Sequence, residues 1–298
     1  MRITTKMMGD NAAARLQMNY DRLFDLQEKV ASGKKYSQPS DQPSGASRAL
    51  QLRSTLQANQ AYLDTANRVD LWLSTVETSL RGLVDVAGRT INMANSATSD
   101  TMGPDERSGI LSEIKGLFMQ AVNLANTTHE GKYIFNGYNV DETPYEVDQT
   151  AYQLIKTPSD TGQTIVQKYG KSQSIIVNVN GETVVTPFLE GLRAVIDALE
   201  APTFDRADLL DGISQVSSSL ETIKESLTTI GARQREMKTS ITFLEKNNVE
   251  IKSLLSQNED VNLADAISAL KQQETAYQTS LNVASSVINH PNLFNYLR

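Results

Sequence analysis

Apolar residues recur at alternating steps of three and four positions over two long segments of this 298-residue chain. Eleven of 14 such positions are apolar from Ala49 to Ala94, and eleven of 13 from Ile213 to Leu255. This spacing forms one stripe along an α-helix, and such a stripe needs a partner surface that shields it from water. Because the two stripes have comparable lengths, we predict two long helices that pack antiparallel, the first spanning about 75 Å.

Shorter apolar stripes lie near both ends of the chain, from Ala13 to Val30 and from Leu263 to Ile288. Gly33 follows the first stripe, as is typical of a helix end, and Pro43 suits the first turn of the next helix. A helix of this length is marginally stable alone, because one stripe buries too little apolar surface to offset the ordering of its backbone. We therefore expect the terminal helices to pair and to become fully ordered only on assembly with other subunits.

Between Gly131 and Pro187 the helical period gives way to short runs of β-prone residues. The dipeptide Asn180-Gly181 follows an alternating segment that contains Ile175, Val177 and Val179. Because Asn-Gly favours the two-residue turn of a β-hairpin, residues 182–186 are predicted to form the returning strand.

The predicted elements are nearly mirror-symmetric about this β-rich segment. We predict a mainly α fold, an elongated antiparallel long-helix bundle with paired N- and C-terminal helices and a small β-rich insertion at the tip. Residues 1–36 with 260–298 would form a terminal coiled-coil inner domain. Residues 37–130 with 188–259 would form a long-helix core domain, and residues 131–187 the outer insertion.

Composition argues against several classes of protein. The chain has no Cys, which removes disulfide frameworks, thiolate metal sites and cysteine nucleophiles. Its formal net charge is −7 and it has no run of Lys and Arg, so we expect no nucleic-acid partner. No more than three apolar residues are consecutive, so the sequence predicts neither membrane insertion nor a secretory signal peptide.

Signals of catalysis are weak. Gly170-Lys171-Ser172 matches the end of a phosphate-binding loop, but Ile165 stands where that motif requires Gly. His129 and His290 lack the spacing of a zinc peptidase motif, and no Gly-x-Ser-x-Gly elbow occurs. Ser and Asp are numerous enough to leave a Ser-His-Asp combination open. We nevertheless predict that the protein is not an enzyme and has no catalytic, cofactor-binding or metal site.

Short segments along the chain resemble bacterial flagellar axial proteins, in the family's order. They are Met1–Thr4, Ser32–Lys35, Pro39–Pro43, Gly131–Tyr138, Ala266–Thr275 and Leu293–Leu297. The last three are similar to segments of the hook-associated protein 3 family, which is flagellin-like. Each segment alone is weakly specific, but the ordered set is specific and covers the helical part of the chain. The β-rich insertion matches in position only.

The resemblance implies a structural adaptor that joins the flagellar hook, through hook-associated protein 1, to the flagellin filament. It implies an extracellular location at the hook–filament junction, export through the flagellar type III apparatus without a cleaved signal peptide, an export chaperone, and a ring of copies. It also implies an assembly interface in the terminal helices, made of Leu16, Tyr20, Leu23, Val30, Ile267, Leu270, Tyr277, Leu281 and Ile288. Pro291 departs from the family pattern and is expected to end the last helix.

Two alternatives stay open. Flagellin belongs to the same family, but it usually has an Ile-Asn-Thr-Asn type of start and a Leu-Leu-Arg-like tail, where this chain has Arg2-Ile3-Thr4-Thr5 and Asn295-Tyr296-Leu297-Arg298. Copy number per flagellum distinguishes the two, because an adaptor is present in a handful of copies and flagellin in thousands. A cytosolic coiled-coil scaffold would have the same apolar stripes, but it would be absent from sheared, washed flagella.

Overall fold

Long helices dominate the computed structural model, which describes residues 5–99, 102–148, 151–158 and 164–288. The helices are α1 (Thr5–Ser32), α2 (Pro43–Ala97), α3 (Pro104–Ala125), α4 (Gly181–Val184), α5 (Thr186–Glu200), α6 (Arg206–Glu259) and α7 (Leu263–Ile288). The strands are β1 (Thr128–His129), β2 (Lys132–Tyr133), β3 (Glu146–Asp148), β4 (Gln153–Lys156), β5 (Val166–Lys168) and β6 (Ser174–Ile176). The predicted mainly α class, with long packed helices and small strand pairs, is confirmed.

Local sequence signals set the helix boundaries. Gly33 ends α1 with a φ of +69°, a left-handed conformation that glycine adopts without steric cost. Pro43 and Pro104 begin α2 and α3, where a missing backbone N–H costs nothing. The backbone N–H of Gly103 donates to the Glu106 carboxylate at 2.9 Å, which caps the start of α3. No helix in the described part of the chain is long and apolar enough to cross a membrane.

The chain divides into two compact units. Unit 1 contains the residues up to Ala58 and those from Asn247 onward, and unit 2 is Asn59–Lys246. Unit 1 therefore holds α1, α7 and one end each of α2 and α6, whereas unit 2 holds the rest of both long helices and everything between them. The three-domain division stays a prediction.

The core of unit 2 is built from the long apolar stripes. Leu73 and Leu80 of α2 and Ile223 of α6 are completely buried. They are packed with large side chains of α3 and α5, including Phe118 and Phe188. Each buried side chain of this size contributes about 1.5–3 kcal/mol. The stripes predicted from the sequence are thus core within this unit.

The predicted hairpin at Asn180-Gly181 is wrong. In the structure Asn180 caps α4, its side chain accepting from the Glu182 backbone N–H at 3.0 Å. Residues 181–184 are helical, and α5 begins at Thr186. The two-residue hairpin turn lies instead at Glu130-Gly131, between β1 and β2, where both residues have positive φ.

Close packing explains why Gly181 does not form that turn. Gly181 is buried, and a Cβ there would overlap the carbonyl oxygen of Phe135. The Tyr145 hydroxyl donates to the Gly181 carbonyl at 2.9 Å, which holds the two segments together. Glycine is therefore required here for the approach of a neighbouring backbone and not for a positive φ.

Candidate assembly site

The terminal helices α1 and α7 pack against each other in unit 1 and run antiparallel. The rings of Tyr20 and Tyr277 lie 5.9 Å apart near the middle of the pair. At the end of α1, the Val261 backbone N–H donates to the Gly33 carbonyl at 2.9 Å. The pairing of N- and C-terminal helices agrees with the sequence expectation.

Eight of the nine residues assigned to assembly have described side chains, and these divide into two groups by burial. Leu16, Leu23, Val30, Leu270 and Tyr277 are half-buried. Tyr20, Ile267 and Leu281 remain 49%, 42% and 42% exposed. The side chain of Ile288 lies outside the described residues, as do His290, Pro291 and the tail Leu293–Arg298. The pair alone therefore leaves part of its apolar surface in contact with water.

Sequence reasoning missed polar contacts inside the helix pair. Asn19 donates to the Ser280 hydroxyl at 2.6 Å, and Gln273 donates to the Asn19 carbonyl at 3.1 Å. It also missed three exposed apolar side chains beside the stripes, those of Met18, Phe24 and Val283. The three apolar residues could have been found from the sequence, because they occupy positions outside the predicted stripes. The partners of Asn19 could not, because no sequence signal pairs it with residues more than 250 positions away.

A short bridge fixes the base of the helix pair to the start of α2 and the end of α6. Lys34 and Asp260 form an isolated antiparallel β-bridge, and the Lys35 backbone N–H donates to the Glu259 carbonyl at 2.7 Å. The Asn258 side chain donates to the Gly45 carbonyl at 2.8 Å. These contacts join both terminal helices to the same point in unit 1.

Glu259 is the buried charge at this bridge. Its carboxylate accepts from Arg53 at 2.9 Å and from Lys34 at 3.4 Å. The hydrogen bond from Lys34 lowers the pKa of Asp260, and the same bond raises the pKa of Lys34. The Lys34–Asp260 pair therefore stabilises the folded bridge at neutral pH, and this stabilisation is lost as the pH falls through the lowered pKa of Asp260.

Glu259→Gln is expected to loosen this bridge. The substitution keeps the shape of the side chain but removes the charge that pairs with Arg53 and Lys34. Both cations are partly exposed, so we expect a cost of about 1 kcal/mol. Hydrogen exchange at the Lys35 and Val261 amides should then be roughly fivefold faster.

Glu245→Gln is the matched control, because Glu245 is an exposed glutamate on the same helix. It should leave exchange at the Lys35 and Val261 amides unchanged. Equal exchange rates in the two variants would show that the Glu259 charge does not hold the bridge.

The described residues do not assemble a recognisable metal centre. They contain no group of three or more His, Cys, Asp or Glu side chains that could hold a metal ion. His129 shares a hydrogen bond with the Thr75 hydroxyl at 2.9 Å and lies edge-on to Trp72. In unit 1, by contrast, several apolar side chains of α1 and α7 stay exposed.

Known proteins share both the sequence pattern and the fold. Residues 3–140 match the bacterial flagellin N-terminal helical region. Flagellar hook-associated protein 3 of Escherichia coli strain K12 is 25% identical, over 94% of this chain and 95% of that protein. Flagellin of Listeria innocua is 20% identical, over 100% of this chain and 99% of that protein. The crystal structure of the flagellar junction protein FlgL from Legionella pneumophila matches with a TM-score of 0.57 and 13% identity, over 72% of this chain and 99% of that one.

The matched region and the fold make this chain similar to flagellin-like proteins of the bacterial flagellum. Within that class, the chain is similar to flagellar hook-associated protein 3 across nearly its full length, and its identity to flagellin is lower. The resemblance predicted from the sequence is therefore confirmed.

Proposed function

We propose that this chain is a structural adaptor, not an enzyme, that joins the flagellar hook to the flagellin filament. One observation carries the proposal, namely that α1 and α7 pair yet leave apolar side chains exposed along their length. The similarity to hook-associated protein 3 supports the same role, because that name places the relative at the hook.

Packing of α1 and α7 against helices of neighbouring subunits would be energetically favourable. Each backbone residue costs roughly 1–2 kcal/mol to order, and a half-exposed leucine returns only part of its possible burial energy. Packing further helices against the pair would bury these side chains and offset that cost. The residues proposed to form the interface are Leu16, Tyr20, Leu23, Val30, Ile267, Leu270, Tyr277, Leu281 and Ile288.

The proposed partners follow from this role. Hook-associated protein 1 would lie on the hook side and flagellin on the filament side, with other copies of this chain completing a ring. The chain would travel through the flagellar export apparatus without a cleaved signal peptide, held by an export chaperone, and would reside outside the cell at the junction. Flagellin remains the alternative function, but the lower identity to flagellin favours the adaptor.

An in-frame deletion in the source bacterium is expected to leave hooks without filaments, while flagellin accumulates in the medium. Export does not depend on the adaptor, but without it the filament has no surface on which to begin. Electron microscopy of the cells and an immunoblot of the medium measure the two effects. Complementation with the intact chain is the control and should restore filaments.

Two other outcomes would contradict the adaptor role. Bare hooks with no flagellin in either cells or medium would identify the chain as the filament subunit itself. Normal filaments and swimming would exclude a required role at the junction and would favour a scaffold elsewhere.

A further inference from the structure

Unit 2 contains a cleft of about 480 Å³ that the proposed assembly helices do not use. Residues of α2 line one side, among them Arg68 and Trp72. The other side is lined by Lys132 of the β1–β2 hairpin, by Gln167 of β5 and by Ile165, which directly precedes β5. The volume lies within the range of cavities that hold a ligand or an inserted side chain.

The charge of this cleft selects for an acidic occupant. Arg68 and Lys132 are exposed, and within the described part of the chain neither forms an ion pair with a carboxylate. Among the described residues that line the cleft, Glu130 is the one carboxylate, so this part of the lining is positive by one charge. Such a local excess is opposite to the net charge of −7 and favours a partner surface with carboxylates beside an apolar side chain.

The β3–β4 hairpin presents a surface of that kind. Ile155 on β4 is 69% exposed, more than any other large apolar side chain in the described residues. Glu146 and Asp148 on the paired strand β3 are also exposed. Asp148 pairs with Gln153 and Glu146 with Lys156, and a register shift between these pairs leaves Ile155 without a partner across the hairpin. The hairpin therefore offers an exposed isoleucine with two carboxylates on the paired strand, of which Glu146 lies opposite Lys156.

The cleft and the hairpin are supported by different helices. Tyr152 anchors the hairpin on α3, with its ring 6.0 Å from that of Phe118 and 5.0 Å from the Lys115 ammonium. The cleft is lined by α2 instead. Ile155, Glu146 and Asp148 are not among the residues that line the cleft, so one subunit can offer its hairpin to one neighbour while its own cleft receives the hairpin of another.

We propose that the cleft of one subunit binds Ile155 and the nearby carboxylates of β3 from a second copy of this chain. The contact joins two different surfaces, so it is head-to-tail and can be repeated from subunit to subunit around a ring. Arg68 and Lys132 face Glu146 and Asp148 across it, and Ile155 packs near Trp72. This inference rests on the proposed function, which supplies the ring of copies.

Disulfide trapping in assembled flagella tests the contact, because the chain has no native Cys. The double variant Gln167→Cys with Ile155→Cys places one thiol in the cleft and one on the hairpin. Both positions are exposed, so neither substitution disturbs the core. After mild oxidation of isolated flagella, we expect a ladder of multimers of this chain that collapses to monomer on reduction, at least tenfold stronger than in either single variant. The pair Gln167→Cys with Ser214→Cys is the matched control and should give no ladder.

A photo-crosslinking residue at Gln167 identifies the occupant independently. A crosslinked product containing two copies of this chain supports the proposal, whereas a product with flagellin or another flagellar protein overturns it. If flagella with normal filaments yield only uncrosslinked monomer of this chain, the head-to-tail contact is overturned, but the adaptor role is not. The adaptor role fails separately, if the deletion strain builds normal filaments.

Discussion

Gly181→Ala is expected to destabilise unit 2 by about 3 kcal/mol, the upper part of the range for overpacked sites. The added methyl would overlap the Phe135 carbonyl oxygen, which is backbone and cannot rotate away, and would meet the Tyr145 hydroxyl at 3.1 Å. This overlap can be relieved only if α4 moves, and such a movement breaks the hydrogen bond between the Tyr145 hydroxyl and the Gly181 carbonyl. A melting temperature roughly 6–12 °C lower should follow for a unit of this size.

Gly88→Ala is the matched control for this prediction. Gly88 lies inside α2, and a Cβ there would contact nothing within 4 Å. Alanine is the better helix former, so the control should raise stability by about 0.5–1 kcal/mol. Calorimetry of both variants measures the difference. Equal melting temperatures would mean that the Phe135 segment and α4 can separate without cost.

Gly181 also marks the limit of what the sequence predicts about the β-rich segment. An Asn-Gly dipeptide can form a turn in which both residues have positive φ. It can also begin a helix, with Asn as the N-cap and Gly as a first residue that leaves room for a neighbouring segment. Local sequence does not distinguish them, because the deciding contact comes from Phe135, 46 positions earlier in the chain. The turn at Glu130-Gly131 gives a weaker local signal, because Glu adopts a positive φ less readily than Asn does.

The helices were predictable because their signals are local. Gly33, Pro43 and Pro104 each act through their own backbone, and the stripe of α2 needs only its own periodicity. The predicted stripe from Ala49 to Ala94 lies within the observed helix Pro43–Ala97 and ends only three residues before it does.

The candidate site was predictable only in part. The stripes of α1 and α7 indicate which faces are apolar, but not which residues of a face stay exposed after the two helices pair. Tyr20 and Leu16 belong to the same stripe, yet Tyr20 is exposed and Leu16 half-buried, because exposure depends on the crossing of the helices. The bridge around Glu259 was not predictable either, since its cations lie more than 200 positions away.

Leu281→Asp is expected to abolish filament attachment while unit 2 stays folded. Leu281 is 42% exposed on α7, so a carboxylate there remains hydrated in the free chain, and we expect its stability to change by no more than about 0.5 kcal/mol. Packing against a neighbouring helix would strip that hydration from an unpaired charge, which costs several kcal/mol per subunit. Complementation of the deletion strain, with filaments counted by electron microscopy, measures the loss.

Gln272→Asp is the matched control, because it adds the same negative charge to α7 at a different position. Gln272 is exposed on α7, nine residues before Leu281 and thus on the opposite side of the helix. The control should export normally and build filaments, whereas Leu281→Asp should appear in the medium without filaments. Normal filaments in both variants would remove Leu281 from the interface. A cooperative loss of helical signal in free Leu281→Asp would instead show that α7 is integral to the fold of the single chain, because the charge would then act before any neighbour is bound.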